Sequence, residues 1–272
     1  MSFVDCGRLY VGQLRYIQAF CEPADSRNPD AVVGAFLPLG ERLACLLHGA
    51  LFRRQLRADP FYHYLVARTR HFDQLFLDAV RDSVACIVNI GCGTDTRAYR
   101  FAHLLEAKGI TVLECDRPQA IRAKRELATR RWPARHVRYV PLELNDDAAW
   151  SSFARALDDA APGRAFVMME GVSPYIHKPQ FEAFLRLLAA GLRPASVLAY
   201  DFKIAGLADD FGRSAAVRQP FRLPGERDAV DAYHHALGFR LQRLEASTSL
   251  TRRLLPRAPR LFEQDCIACL TC

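Results

Sequence analysis

Two glycines one residue apart, Gly91 and Gly93, follow the apolar run Ala85-Cys86-Ile87-Val88-Asn89-Ile90. A helix-like segment through Tyr99, Phe101, Leu104 and Leu105 comes next. A second apolar run, Ile110-Thr111-Val112-Leu113, then closes on Glu114-Cys115-Asp116. The order is strand, glycine turn, helix, strand, acid. Glycine lets a ligand approach the backbone because no Cβ stands in the way. A carboxylate at the end of the second strand can accept hydrogen bonds from both hydroxyls of a ribose. These residue types at this spacing point to recognition of a nucleoside-bearing cofactor.

The turn itself narrows the cofactor. A dinucleotide fingerprint needs a third glycine for close helix–strand packing, and here that position holds Thr96. Asp95 lies where a pyrophosphate would sit, and a carboxylate repels a diphosphate. Asp95 suits a cationic group, such as the ammonium of S-adenosylmethionine. A nicotinamide-dependent oxidoreductase is the alternative that these two residues argue against.

The elements that must position this turn are legible as periodic runs. Residues from about Val11 to Val84 read as helices. Phe36, Leu37, Leu39, Leu43, Leu46, Leu47 and Leu51 recur at helical spacing, and Asp59-Pro60 interrupts before a further apolar face. An α/β part begins near Ser83. Its later strands are expected at Val137-Arg138-Tyr139-Val140, Ala165-Phe166-Val167-Met168-Met169 and Ser196-Val197-Leu198-Ala199-Tyr200. The alternating run Phe239 to Leu244 suits an antiparallel edge strand. The stretch from Ile204 to Pro224 reads as a lid or a connector.

Length and composition fit one α/β domain with a helical extension. The chain has 272 residues, half of them apolar, and a formal charge of +7 from 37 basic and 30 acidic side chains. No block of basic residues marks a nucleic-acid arm, and no run of eighteen apolar residues marks a membrane span. No secretory signal is apparent from Met1 to Tyr10, so a cytoplasmic protein is expected. Nine cysteines are present. Their scatter is not that of a secreted disulfide framework. Cys266, Cys269 and Cys272 give C-x-x-C-x-x-C, a spacing that could offer three thiolates to a metal, with Cys6 or Cys21 as a fourth. The other reading has Ile267 and Leu270 packing on the domain with the thiols incidental. A cofactor-binding protein without catalysis, using these cysteines for a metal, is a third functional class.

Together these segments resemble the leucine carboxyl methyltransferase family, and within it bacterial polyketide O-methyltransferases. The likeness rests on Asn28-Pro29-Asp30-Ala31, on Ala67-Arg68-Thr69-Arg70-His71-Phe72-Asp73, and on Val88 to Arg100. It continues in Glu114-Cys115-Asp116-Arg117-Pro118, in Glu170-Gly171-Val172-Ser173-Pro174-Tyr175, in Gln219-Pro220-Phe221 and in Leu237-Gly238-Phe239. It fades after about Leu255. The resemblance implies a doubly wound, seven-stranded Rossmann-like α/β methyltransferase sheet. The expected divisions are a helical cap over 1–82, the cofactor domain over 83–255, and a cysteine-containing tail over 256–272.

Carried over residue by residue, the resemblance implies an S-adenosylmethionine site. Arg68 would pair with the methionyl carboxylate, bidentately, as a guanidinium can. Gly91 and Gly93 would pass beneath the amino-acid portion, and Glu170 would lie beside it. Asp116, or Glu114, would hold the ribose, with Asp116 nearer the strand's end. Glu143 and Leu144 would meet the adenine, although the family has Asp-Leu there. Tyr175 would flank the methyl group or the acceptor, and His177 is the nearest candidate for a base. Tyr200 and Asp201 are expected on the site side of strand five, while His234 and His235 have no place assigned. The implied reaction is methyl transfer to an oxygen of a small biosynthetic molecule, a carboxylate or a hydroxyl. The C-terminal carboxylate of a protein is the alternative acceptor.

Overall fold

The computed structural model describes residues 9–132, 134–207, 217 and 219–272. The chain opens with helices α1 (Val11–Cys21), α2 (Leu39–Leu51), α3 (Arg53–Ala58) and α4 (Pro60–Arg81). Asp59 starts α4 because its carboxylate accepts from the Phe61 amide at 2.8 Å, and Pro60 needs no partner for a missing N–H.

Among the described residues eight strands and seven further α-helices follow Ser83. They are β1 (Cys86–Ile90), α5 (Arg97–Arg100), α6 (Ala102–Ala107), β2 (Thr111–Asp116), α7 (Pro118–Arg131), β3 (Val137–Pro141), α8 (Trp150–Ala160) and β4 (Ala165–Met169). Next come α9 (Lys178–Gly191), β5 (Val197–Ile204), the two-residue β6 (Arg222–Leu223), α10 (Arg227–His235), β7 (Arg240–Ala246), α11 (Ser247–Leu254) and β8 (Asp265–Thr271). The main path of the sheet runs β3-β2-β1-β4-β5-β8-β7, with β6 beside the end of β5. Strands β1 to β5 are parallel, and β8 lies antiparallel between β5 and β7. This is the expected doubly wound seven-stranded order, with β6 added.

The winding explains where a ligand can sit. The chain runs outward from β1 through β2 to β3, then returns to place β4 on the other side of β1. At such a reversal the connections leave in opposite directions and open a crevice at the strands' carboxyl ends. Ile90 pairs with Met169, so Gly91 and Glu170 leave the sheet side by side at that crevice. Helices cover both faces, which is why β1 and β4 are buried throughout and read as continuous apolar runs.

Two boundaries differ from expectation. Helix α4, assigned to the cap, belongs to two cores. Tyr62 and Leu65 pack with Leu14, Ile17 and Val33 of the cap. Tyr64, Phe72 and Phe76 pack with the sheet residues Ile87, Val112 and Phe166. A 22-residue helix has enough faces to serve both. The second difference is the segment expected as a tail, which contains β8, a strand buried at every position. The resemblance fades before it, and the cysteine spacing draws attention from its apolar run. Of the loop expected over 204–224, residues 208–216 and 218 lie outside the described residues. Ile204 belongs to β5, and Phe221 is buried against Phe181, with ring centroids 4.3 Å apart.

Strand geometry also answers the metal reading. Side chains alternate across a strand, so residues three apart point to opposite faces. Cys266 packs with Ala268 and Leu270 on one side, and Cys269 with Ile267 on the other. Cys272 returns to the first side but lies about 20 Å along the strand from Cys266. Burial pushes the thiols up, to about 11 for Cys266 and Cys272 and about 12 for Cys269. Among the described residues no group of three or more His, Cys, Asp or Glu side chains is gathered for a metal. Cys6 lies outside the described residues. Among the described residues no helix is long and apolar enough to cross a membrane.

Leu270 is fully buried in the sheet core. Leu270→Ala should lower stability by about 2–5 kcal/mol in urea unfolding. Leu207→Ala, at a largely exposed position, should change it by under about 0.5 kcal/mol.

Candidate functional site

The turn after β1 is built by two glycines for different reasons. Gly91 has φ +67° and lies against the Val172 side chain, so an added Cβ would collide with it. Gly93 has φ +40°, and an added Cβ would meet only the Gly91 carbonyl oxygen, at 3.9 Å, so backbone conformation rather than crowding selects glycine there. The Gly93 amide donates to Asp116 Oδ2 at 2.7 Å, and the Arg117 amide donates to Asp116 Oδ1 at 2.7 Å. Asp116 is thereby fixed, half-buried, at the mouth of the crevice.

The neighbouring acid has a different fate. Glu114 is fully buried and pairs with the Lys124 ammonium from α7, which also donates to the Cys92 carbonyl at 3.3 Å. Burial raises the Glu114 carboxyl and Lys124 opposes the rise. Its commitment to Lys124 leaves Asp116 as the acid that faces outward.

Asp95 faces inward. Its Oδ1 accepts from the Arg97 amide at 2.8 Å, and Oδ2 accepts from the Arg97 guanidinium. Burial alone would raise its carboxyl, but Arg97, Lys124 and Arg15 hold it below the usual range. The charge expected to meet a cationic ligand group is answered within the protein.

Arg97 leads to the centre of the site. The Glu170 side chain is 5% exposed and accepts from three arginines. They are Arg15 on α1, Arg68 Nε on α4 at 3.2 Å, and Arg97 Nη1 after the glycine turn at 2.9 Å. Arg68 Nη1 also donates to Asp201 Oδ2 at 2.7 Å, while Asp201 Oδ1 accepts from the Gly171 amide at 2.6 Å. Arg97 Nε donates to Asp73 Oδ1 at 2.7 Å, and Arg100 grips both oxygens of Asp73. Burial would push the Glu170 carboxyl up, yet Arg15, Arg97 and Arg68 hold it well below the ordinary range.

Arg68 is therefore not a free clamp, because its guanidinium is shared between Glu170 and Asp201. Three buried polar atoms beside this network lack a hydrogen-bond partner among the described residues: Tyr64 Oη, Arg15 Nε and Asp30 Oδ2. Arg15 Nη1 stands 3.8 Å from Asp30 Oδ2. Sequence reasoning gave no role to Arg15, Asp73, Arg97 or Asp30. The last three stand inside motifs already quoted, so their position was the available signal. Arg15 carried none.

The opposite wall comes from the loops after β3 and β4. Asn145 joins them: its Nδ2 donates to the Tyr175 carbonyl at 3.1 Å, and its Oδ1 accepts from the His177 amide at 2.9 Å. Tyr175 is 37% exposed and His177 half-buried. Glu143 is half-buried, with Oε1 accepting from the Asn145 amide at 3.3 Å. Leu144 packs its side chain into the core, which leaves its backbone for any contact outward.

Tyr200 differs from its expected place. Strand β5 runs on to Ile204, and Tyr200 points into the core among Phe181 and Phe221. Its hydroxyl meets His234 Nε2 at 2.5 Å, while His234 Nδ1 lies 2.6 Å from the Val230 carbonyl. The ring therefore carries its proton on Nδ1 and accepts from the tyrosine, as a neutral imidazole does. Asp201, one residue on, turns to the site and Arg68.

Two outcomes follow from these charges. Glu170→Gln keeps the size but leaves three buried guanidinium groups short of a counter-charge. It should cost about 3–5 kcal/mol in urea unfolding, whereas Glu143→Gln should cost under about 0.5 kcal/mol. Burial holds His234 at about 4, against an ordinary 6.5. The unfolded chain takes up this proton first, so stability present above pH 6.5 is lost as pH falls towards 4. The loss is up to about 3 kcal/mol. Asp265, raised by burial, works in the opposite sense and flattens the total. His234→Gln should lose its own share of the slope when urea midpoints are compared across that window.

Known proteins are similar to this chain in sequence along part of its length. The model of the leucine carboxyl methyltransferase family matches residues 44–189. A "Putative S-adenosyl-L-methionine-dependent methyltransferase" of Mycobacteroides abscessus (strain ATCC 19977) is 32% identical over 178 residues, covering 64% of this chain and 55% of that protein. A protein of the same description from Mycobacterium avium (strain 104) is 34% identical over 138 residues, covering 48% of this chain and 42% of its own. The chain thus spans about half the length of the curated relatives it matches. Among solved structures, magnesium protoporphyrin IX methyltransferase from Synechocystis PCC 6803 with bound SAH is 13% identical. Its TM-score is 0.47, over 77% of this chain and 85% of that one. With more than half its residues matched by the family model, the chain belongs to the leucine carboxyl methyltransferase family.

Proposed function

We propose that this chain is an S-adenosylmethionine-dependent methyltransferase acting on an oxygen, a carboxylate or a hydroxyl, of a small molecule in a biosynthetic pathway. The observation that carries the reading is the Gly93 amide fixing Asp116 beside an open glycine turn, where the sheet order reverses. That carboxylate has lone pairs left for the two hydroxyls of a ribose.

The residues present fit this cofactor. An uncluttered surface at Gly93 admits close approach. Arg15, which pairs with Glu170, and Asp30, 3.8 Å from Arg15, keep an orphaned buried donor (Nε) and acceptor (Oδ2), groups of the kind that would answer the carboxylate and ammonium of an amino acid. Arg68 would join them by releasing one of its two carboxylates. Glu143 and the Leu144 backbone would meet the adenine. When bound, the cofactor supplies a methyl group on a sulfonium, open to in-line displacement.

The protein's part is alignment and exclusion of water, which can supply much of the rate. Tyr175 and His177 border the crevice on the acceptor side. A carboxylate acceptor, with a pKa of about 4, is ionised at neutral pH and needs no base. A phenol near about 10 would draw on one, and His177 is the candidate.

Calorimetric titration with S-adenosylmethionine, S-adenosylhomocysteine and NAD tests the reading. Micromolar binding of the first two is expected, weakened at least about tenfold in Asp116→Ala, where roughly 1.4 kcal/mol of binding is lost. Binding of NAD alone, or of none of the three, would overturn it.

A further inference from the structure

The freedom that suits Gly93 to close approach also leaves its backbone loose. A glycine at φ +40°, uncrowded, sets no preferred tilt for the peptide plane before it. No peptide among the described residues is cis, so the C=O and N–H of that plane point opposite ways and turn as one piece. Its N–H, on Gly93, donates to Asp116 Oδ2 at 2.7 Å. Its C=O, on Cys92, accepts from the Asp95 amide at 2.7 Å and from the Lys124 ammonium at 3.3 Å. The Asp95 amide belongs to the same turn and moves with it. Lys124 comes from α7, outside the turn. The bond from the Cys92 amide to the Cys115 carbonyl, at 3.0 Å, holds the preceding plane rather than this one.

Lys124 is itself closely confined. It is 3% exposed, and its ammonium pairs with Glu114. The Phe36 and Tyr99 ring centroids lie 5.9 Å and 6.0 Å from Nζ, so two aromatic faces hold the cation as well. An ammonium has three donors, enough to serve Glu114 and the Cys92 carbonyl together. We propose that Lys124 is a positioning residue for cofactor binding: by holding the Cys92 carbonyl it sets the tilt of the Cys92–Gly93 plane, and so aims Asp116 at the ribose hydroxyls. The inference rests on the S-adenosylmethionine reading above. Glu114 is then the counter-ion that lets Lys124 stay charged in the interior, not a second ribose ligand. A cation on the carbonyl also polarises the amide and strengthens the bond its N–H gives to Asp116. The Arg117 amide holds only the other oxygen of Asp116, so the Gly93 contact fixes the rotation that remains.

Calorimetry with two ligands, S-adenosylhomocysteine and its analogue lacking both ribose hydroxyls, tests this on the full chain. Lys124→Met with Glu114→Gln removes both charges, so no buried ion is stranded. This pair should bind S-adenosylhomocysteine about tenfold more weakly than the wild type, the worth of one hydrogen bond to a charged group. It should bind the analogue as the wild type does, because the effect runs only through Asp116 and the ribose. If the pair misfolds, Lys124→Gln, a neutral donor, takes its place with the same split expected. Equal losses for both ligands, or no loss for either, overturn the proposal. A wild type that binds neither ligand overturns the cofactor reading instead. Amide exchange by nuclear magnetic resonance, with no ligand present, then decides the role of Lys124. The Gly93 amide should exchange at least about tenfold faster in the variant, with the Val88 amide of β1 unchanged. Unaltered Gly93 exchange overturns the proposal.

Discussion

The Glu170 carboxylate is the interaction on which the rest of this structure depends. It stands one residue beyond β4, away from water, and gathers a guanidinium from the cap helix α1, one from α4, and one from the segment after the glycine turn. An isolated buried carboxylate would be protonated or expelled. Three arginines at one site would repel each other without it. Each charge is tolerable only because the others are in place, so the contact joins parts of the chain up to 155 residues apart in sequence. Such a network is weak evidence for net stability, since desolvation offsets attraction. Its effect is to fix geometry, because a displaced element would strand a buried charge.

That fixed geometry surrounds the place where the sheet opens. Gly91 and Glu170 leave adjacent strands at the reversal in strand order. Asp73 and Arg68 come down from α4, and Asp201 rises from β5. The acids are divided by environment. Glu114 and Asp95 are consumed by Lys124 and Arg97, and Asp116 is held by two backbone amides with its outer side available. The cofactor site proposed at this crevice would be shaped as much by which charges are already neutralised as by which are present.

Helix α4 links this polar centre to the apolar cores. One side packs with the cap and another with the sheet, while Arg68 and Asp73 lie between. The cap is therefore tied to the sheet by packing along α4 and by charge through Arg15.

Much of this was written in the chain itself. Strand runs such as Ile87-Val88-Asn89-Ile90 and Phe166-Val167-Met168 are legible because strands buried on both faces must be apolar throughout. The turn at Gly91 and Gly93 is legible because its backbone has a positive φ that other residues resist. Asp59-Pro60 announces α4 by capping. These are local requirements, met by residues near in sequence. The partner of each charge was not local. Nothing near Arg15 says that it reaches Glu170, nothing in Asp95 says that Arg97 takes both its oxygens, and Cys266 and Cys269 face opposite sides only once their segment becomes a strand. Sequence determined the elements and the types of charge. Tertiary structure alone decided which charges neutralise each other, because burial makes every unpaired ion costly and only the folded arrangement brings its counter-ion within reach.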